Sequence, residues 1–280
     1  FIATGDLDLS AGGIGASTFN AIARGMDIKL VANKGVYLPG MPSDTKIMVR
    51  ADLYKKGIRS VKDLKGLKIA SNGIANVTHY HISTALAKAG LSESDVKLVT
   101  VPLPQMVTAI KTGAVDALEI WAPFTIVMEQ QGYAYPVITI PEVVPNNQYA
   151  HIFYGGPFIK SKPELAQSFI EEYLRGVRRF YELGPYHDTV IGSLLKHTRQ
   201  KREMLKRMIP AWIDINGNVD ADDIERQQQW YVKKGFVKKK IDVGKLVDKS
   251  YLKLAWQKLG KLPANPGPDY WEKVKAQRTK

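Results

Sequence analysis

Residues 68–90 read KIASNGIANVTHYHISTALAKAG, and the decisive feature is the passage from a short β-branched run into a helical one through Asn72, Gly73 and Asn76. "LKIASNG" (67–73) has the composition of a strand, and Val77–Ala89 that of a helix stopped by Gly90. The same unit recurs on both sides. "LDLSAGG" (7–13) is a strand ending in a glycine pair, "STFNAIARG" (17–25) a helix closed by Gly25, and "IKLVANKG" (28–35) a further strand. Downstream, "VKLVTVP" (96–102) is a strand, Gln105–Thr112 a helix stopped by Gly113, and "VDALEIW" (115–121) another strand. Strands alternating with short helices predict an α/β fold with parallel strands and crossover helices. "GDLDLSAGG" and "GAVDALEIWAP" share a form, a glycine, a short strand with an early aspartate and then a turn, which suggests two lobes of related build.

The second half is helical. Ser161 and Glu164 are spaced as a capping box, and Leu165, Phe169, Tyr173, Val177 and Phe180 form one apolar stripe behind it. Helices are expected at Asp188–His197, Lys201–Met208, Ala221–Lys234 and Ser250–Leu259, and the proline- and glycine-rich "LPANPGPDYW" is expected to run over the surface.

Composition narrows the function. With 280 residues, 45% of them hydrophobic and 24% charged, the chain is long enough for two ordinary globular domains. No apolar run reaches the roughly 18 residues that span a bilayer, and "FIATGDLDLS" has no basic region followed by an apolar core, so neither an anchor nor a signal peptide is read here. That opening reads as the continuation of a fold, a processed or incomplete amino-terminal end. The absence of cysteine excludes disulfides, thiolate nucleophiles and cysteine metal sites. A net charge of +13 raises nucleic-acid or anionic-surface binding. The densest run, Lys233, Lys234 and Lys238–Lys240, has no nucleic-acid motif beside it and reads as a solvated face, so no nucleic-acid partner is expected.

Three candidate readings fail. His79 and His81 lie about 200° apart around a helix that turns about 100° per residue, so they cannot share a metal ion; the four-residue spacing of HExxH is absent. The reading left is one histidine at the helix mouth and one on its outer face. Asp214, Asn216, Asn218, Asp220, Asp222 and Glu225 occupy the ligand positions of a calcium loop, but Val219 stands where the sharp turn needs glycine. A turn leading into an Asp220-capped helix explains the same letters. Neither the nucleophile elbow, the phosphate loop nor the dinucleotide fingerprint is present. No catalytic residue, metal or cofactor is therefore assigned.

Helix mouths remain. The first turn of a helix presents unpaired amides and partial positive charge, which suits a small anion or polar ligand. "GGIGAST" and "SNGIANVTHY" are two such mouths after strands; the second adds Asn72, Asn76, Thr78, His79 and Tyr80. "ALEIWAPF" places Glu119, Trp121 and Phe124 at the carboxyl end of a strand, where ligands sit in open α/β sheets.

At these residues the chain resembles the nitrate/sulfonate/taurine-type solute-binding proteins of ABC importers, which are related to a thiamine-precursor-binding group. The resemblance is carried by residues 5–35 and 48–96, the latter with "SVKDLKGLKIA" and "ALAKAGLSESDV", by "GAVDALEIWAPF" (113–124) and by residues 229–260. It implies the two-lobe type II periplasmic-binding-protein fold, with a ligand cleft between the lobes and a two-segment hinge. Lobe 1 would hold 1–48 and 153–280, lobe 2 would hold 49–152, and the crossings would fall near "KIMVRAD" and "HIFYGGP". Family members carry a further strand and helix of lobe 1 before the equivalent of Phe1.

Carried over by position, the resemblance implies ligand contacts at Gly13, Ile14, Gly15 and Ala16, at Asn72, Asn76, Val77 and Thr78, and at Glu119, Trp121 and Pro123. His79 and Tyr80 join them from the reading of the mouth. The sulfonate-type motif often has an aspartate between tryptophan and proline, where this chain has Ala122, and no arginine lies in the three turns. A vitamin-precursor enzyme of related fold uses a cysteine-rich motif that this chain lacks. The expected function is extracytoplasmic capture of a small organic molecule or anion by lobe closure, for delivery to a membrane permease. The family is usually monomeric, and its members are secreted or lipid-anchored. A ligand-sensing domain of a signalling receptor is the alternative, and an enzyme on a related fold the third reading.

Overall fold

The computed structural model describes residues 1–279. The chain divides into two compact units, one formed by residues 1–40, 146–193 and 211–280, the other by 41–145 and 194–210.

The first unit is built on three strands, β1 (Leu9–Gly12), β2 (Ile28–Val36) and, near the middle of the chain, β8 (Gln148–Gly155). β8 lies between the other two and is antiparallel to both, so Gly12 and Asn33 flank His151. The parallel pairing expected of β1 and β2 is therefore not made; a strand more than a hundred residues further along the chain separates them. One face of the sheet is the core. Val31, Ala32, Ile152 and Tyr154 pack against Ile170 and Leu174 of the Pro163–Leu183 helix and against Leu252 and Ala255 of the Ser250–Leu259 helix.

The long helix corrects two expectations. Its buried stripe is Ala166, Ile170, Leu174, Val177 and Tyr181, with Leu165 54% exposed. Adjacent apolar pairs (165–166, 169–170, 173–174, 180–181) leave two stripes one residue apart, and the sheet takes the second. Phe169 and Tyr173 pack at its margin. The Ser161–Glu164 box is not formed: a separate helix, Gly156–Ser161, ends there, and Ser161 Oγ donates back to the Pro157 carbonyl at 2.8 Å.

The tail is likewise part of the fold. Asn265 Oδ1 accepts from the Ile215 amide (2.7 Å) and its Nδ2 donates to Asp214 (2.8 Å). The Pro268–Lys275 helix sets Tyr270 and Trp271 edge-on against buried Trp212. Aromatic area of this size stabilises by burial wherever a partner ring is available, which proline and glycine content alone does not reveal.

The second unit holds a five-stranded mixed sheet in the order β5 (Lys97–Thr100), β4 (Lys68–Ser71), β6 (Ala117–Ile120), β3 (Lys46–Arg50), β7 (Ala134–Thr139). β4 is parallel to β5 and β6, whereas β3 is antiparallel to β6 and β7. The strand–helix alternation expected from the sequence produces the parallel part. Pairing also sets the division of the chain: β3 joins the second sheet along its whole length, and β8 joins the first from Gln148. The units therefore change at 40/41 and 145/146, before the crossings expected near 46–52 and 151–157. Residues 194–210, expected in lobe 1, pack with the second unit, where the Ile209 amide donates to Asp44 at 2.6 Å. Among the described residues no helix is long and apolar enough to cross a membrane.

Candidate functional site

In the second unit the carboxyl ends of parallel β4 and β6 lie side by side, and the chain leaves each through a turn. From β4 it passes Asn72–Asn76 and enters the Val77–Lys88 helix. Asn76 is the cap: its Oδ1 accepts from the His79 amide at 3.0 Å, satisfying one first-turn donor, and its Nδ2 donates to Asn72 Oδ1 at 2.8 Å. Ser71 Oγ donates to the Gly73 carbonyl at 2.7 Å and tightens the bend. A Cβ at Gly73 would stand 2.8 Å from Asn76 Nδ2, so glycine leaves the cap room. The amides of Val77 and Thr78 belong to the first turn and have no intrahelical acceptor.

The structure separates the residues grouped here by sequence. Asn72, Asn76, Val77 and Tyr80 are half-buried, while Thr78 and His79 are each 2% exposed. The His79 ring turns back beneath the turn: Nδ1 accepts from the Ala75 amide at 3.0 Å, and Nε2 lies 3.2 Å from Glu93 Oε1. His81 is not on an outer face. It is buried, and its Nδ1 lies 2.8 Å from Glu119 Oε1. The two imidazoles thus point to different carboxylates, consistent with their angular separation on the helix. No group of three or more His, Cys, Asp or Glu among the described residues is arranged to hold a metal ion.

From β6, Glu119 turns inward rather than toward the strand end. It is 1% exposed; burial raises its pKa above the ordinary carboxylate value, and the neighbouring His81 opposes that rise. Its Oε2 has no hydrogen-bond partner among the described residues. Trp121 and Pro123 are half-buried at the turn itself, where the Trp121 carbonyl accepts from the Phe124 amide at 3.1 Å. The structure therefore brings the 72–78 turn and the 121–123 turn to one edge of one sheet, with the His81–Glu119 pair inside. Sequence reading missed His81 as the partner of Glu119, and missed Glu93 and Ala75 altogether; nothing in the sequence around them marked them.

In the first unit, Gly13 is exposed and Ile14, Gly15 and Ala16 are buried. Gly15 caps the Ala16–Ala23 helix without any side-chain bond, and the Ile14 carbonyl accepts from buried Tyr231 at 3.2 Å. Beside this turn a polar cluster is fully enclosed. Asn33 Oδ1 accepts from the Asp214 amide (2.9 Å), Gln148 Oε1 accepts from the Asp220 amide (3.0 Å), and Asp223 accepts from the Gln148 amide (2.8 Å). His151 lies within it, its Nε2 3.3 Å from Gln148 Oε1 and its Nδ1 without a partner among the described residues. Burial pulls its pKa down to about 3. The 214–225 segment is the capped turn: Asp214 Oδ1 accepts from the amides of Asn216 and Asn218, and Asp220 Oδ1 from those of Asp222 and Asp223. These carboxylates are engaged by backbone.

Cavities also lie away from this edge. One of about 360 Å3, lined by Arg50, Lys111, Gly113 and Tyr133, is at the opposite edge of the second sheet; one of about 440 Å3 in the first unit is rimmed by Lys29, Lys239, Lys240 and Lys245. Neither contains a residue named above from the sequence as ligand-facing.

The chain belongs to the NMT1/THI5-like family, which matches over residues 2–182. Its fold is that of the type II periplasmic binding proteins. It is similar to a putative periplasmic sulfonate-binding protein, SsuA, of an ABC transporter from Methylobacillus flagellatus KT (19% identity, TM-score 0.71, 95% of this chain and 81% of that one). It is also similar to the periplasmic nitrate-binding protein NrtA from Synechocystis PCC 6803 (15% identity, TM-score 0.72, 95% and 78%). The desulfurization enzyme DszB shares the fold (15% identity, TM-score 0.66, 92% and 87%). Comparison of the sequence with curated proteins gives no match.

Proposed function

We propose that this chain is the extracytoplasmic solute-binding component of an ABC importer, which captures a small organic molecule or anion and passes it to a membrane permease. The observation that carries this reading is the 72–78 turn: a helix mouth at the carboxyl edge of parallel strands, built by the Asn72–Asn76–His79 bonds. A solute oxygen there meets first-turn amides and the positive end of the helix. The half-buried rings of Tyr80 and Trp121 are aromatic surface on the elements that form the same edge. With no arginine in residues 71–79 or 119–124, recognition rests on oriented N–H donors rather than on a fixed counter-charge. The family assignment and the fold shared with periplasmic binding proteins support the same reading and the extracytoplasmic location.

Thermal denaturation with alkanesulfonates, nitrate, aromatic acids and pyrimidines tests it. A solute at 100 times its Kd stabilises by about 2.7 kcal/mol, a shift of several degrees for a protein of this size. No shift with any of them contradicts the proposal, and turnover of a solute would favour an enzyme on the fold that DszB shares.

A further inference from the structure

The mouth of the Val77–Lys88 helix depends on a residue that faces away from it. Ala75 has φ +57°, in the left-handed region that a side chain with a Cβ disfavours, and it immediately precedes the Asn76 cap. Something must hold it there. Its amide donates to His79 Nδ1 at 3.0 Å, and a ring nitrogen that accepts an N–H must keep its lone pair. The ring proton is therefore on Nε2, the nitrogen 3.2 Å from Glu93 Oε1. Meanwhile the His79 main-chain amide donates to Asn76 Oδ1 at 3.0 Å. One residue thus fixes position 75 through its side chain and position 76 through its backbone, while the side chain itself is 2% exposed.

We propose that His79 is a positioning residue for solute capture: as the Nε2–H tautomer it pins Ala75 in the left-handed conformation and so aims the amides of Val77 and Thr78. The inference rests on the reading of this turn as the binding element, and it replaces direct solute contact by His79. Gly73, with its lack of a Cβ beside Asn76, serves the same geometry from the other side.

Two substitutions separate the ring's hydrogen bond with Ala75 from its 3.2 Å contact with Glu93. Asparagine places Oδ1 where histidine has Nδ1, so His79→Asn keeps an acceptor for Ala75 and gives up the Glu93 contact. Glutamine places its amide near the site of Nε2, so His79→Gln keeps the Glu93 contact and gives up the Ala75 acceptor. Both lose ring volume, so a purely structural role would affect both alike. The first readout needs no solute: nitrogen NMR of the His79 ring, with hydrogen exchange of the Ala75 amide. The expected result is a bare Nδ1 in the wild type, with Ala75 protected in the wild type and His79→Asn and about tenfold less protected in His79→Gln. The second is calorimetric titration with ethanesulfonate and with nitrate as probes, where affinity falls about tenfold in His79→Gln and much less in His79→Asn. Ala75→Gly in the His79→Gln background restores part of the affinity, because glycine reaches φ +57° without the Cβ penalty. A protonated Nδ1 in the wild type, or equal Ala75 exchange in the two variants, overturns the proposal. If the wild type binds neither probe, the binding reading loses support while ring tautomer and amide exchange still decide the role of His79.

Discussion

His81, in the second turn of the Val77–Lys88 helix, and Glu119, on β6, meet at 2.8 Å with both residues about 1% exposed, and the second oxygen of Glu119 has no hydrogen-bond partner among the described residues. Taking one member from a buried pair strands the other. His81→Ala is therefore expected to cost about 3–5 kcal/mol in urea unfolding, and Glu119→Gln, which keeps an amide against the imidazole, about 1 kcal/mol. The pH dependence has a definite sign. Burial raises the folded pKa of Glu119 above its ordinary 4.5, so its contribution is complete below that value and is lost as pH rises through the folded pKa. Relative to the wild type, Glu119→Gln should gain stability as pH rises above 4.5; a difference that does not change with pH would contradict this.

His151 gives the opposite slope. Enclosed on β8 and held near a pKa of about 3, it stays neutral in the folded protein while the unfolded chain takes up a proton below about 6.5. Stability should fall as pH drops from 6.5 toward 3, by about 1.4 kcal/mol per unit from this group. In His151→Gln, which retains a polar group near Gln148, the slope of unfolding free energy against pH should flatten by one proton over that window. An unchanged slope would show that His151 is not kept neutral by burial.

Asp220 separates a helix cap from a calcium loop. Its Oδ1 accepts from the amides of Asp222 and Asp223 at 3.0 and 3.2 Å, and loss of such a cap costs about 1 kcal/mol. Asp220→Ala should lower stability by that amount, equally with and without millimolar calcium, as read by thermal unfolding. A wild-type melting temperature that rises with calcium, with the rise abolished by the substitution, would restore the loop reading.

The parts of this architecture that can be read from sequence are those written locally. The strand–turn–helix passage at 68–90, the Asn76 neighbourhood and the Asp220 cap each declare themselves within a dozen residues. The placement of β8 between β1 and β2 does not, because it joins segments more than a hundred residues apart through backbone bonds that any alternating strand can make. The stripe of the Pro163–Leu183 helix was ambiguous by one residue because apolar side chains come in adjacent pairs, and only the sheet beneath chooses between them. Ser161 and Glu164 have the spacing of a capping box, yet the preceding helix occupies the position that the cap would need. At the candidate site, the letters marked the turns but not the direction of the side chains. Glu119 and His79 look like ligands in the string and lie inside the fold, each facing a group from outside its own element.

The central claim is that the chain holds a small solute. Native mass spectrometry of the purified protein, gently desolvated and then denatured, tests it most directly. The expected spectrum shows one discrete small mass bound one to one and released on denaturation, and that mass identifies the compound with which to repeat the thermal measurements. A bare polypeptide mass that stays bare after incubation with alkanesulfonates, nitrate, aromatic acids and pyrimidines would contradict a solute-binding function.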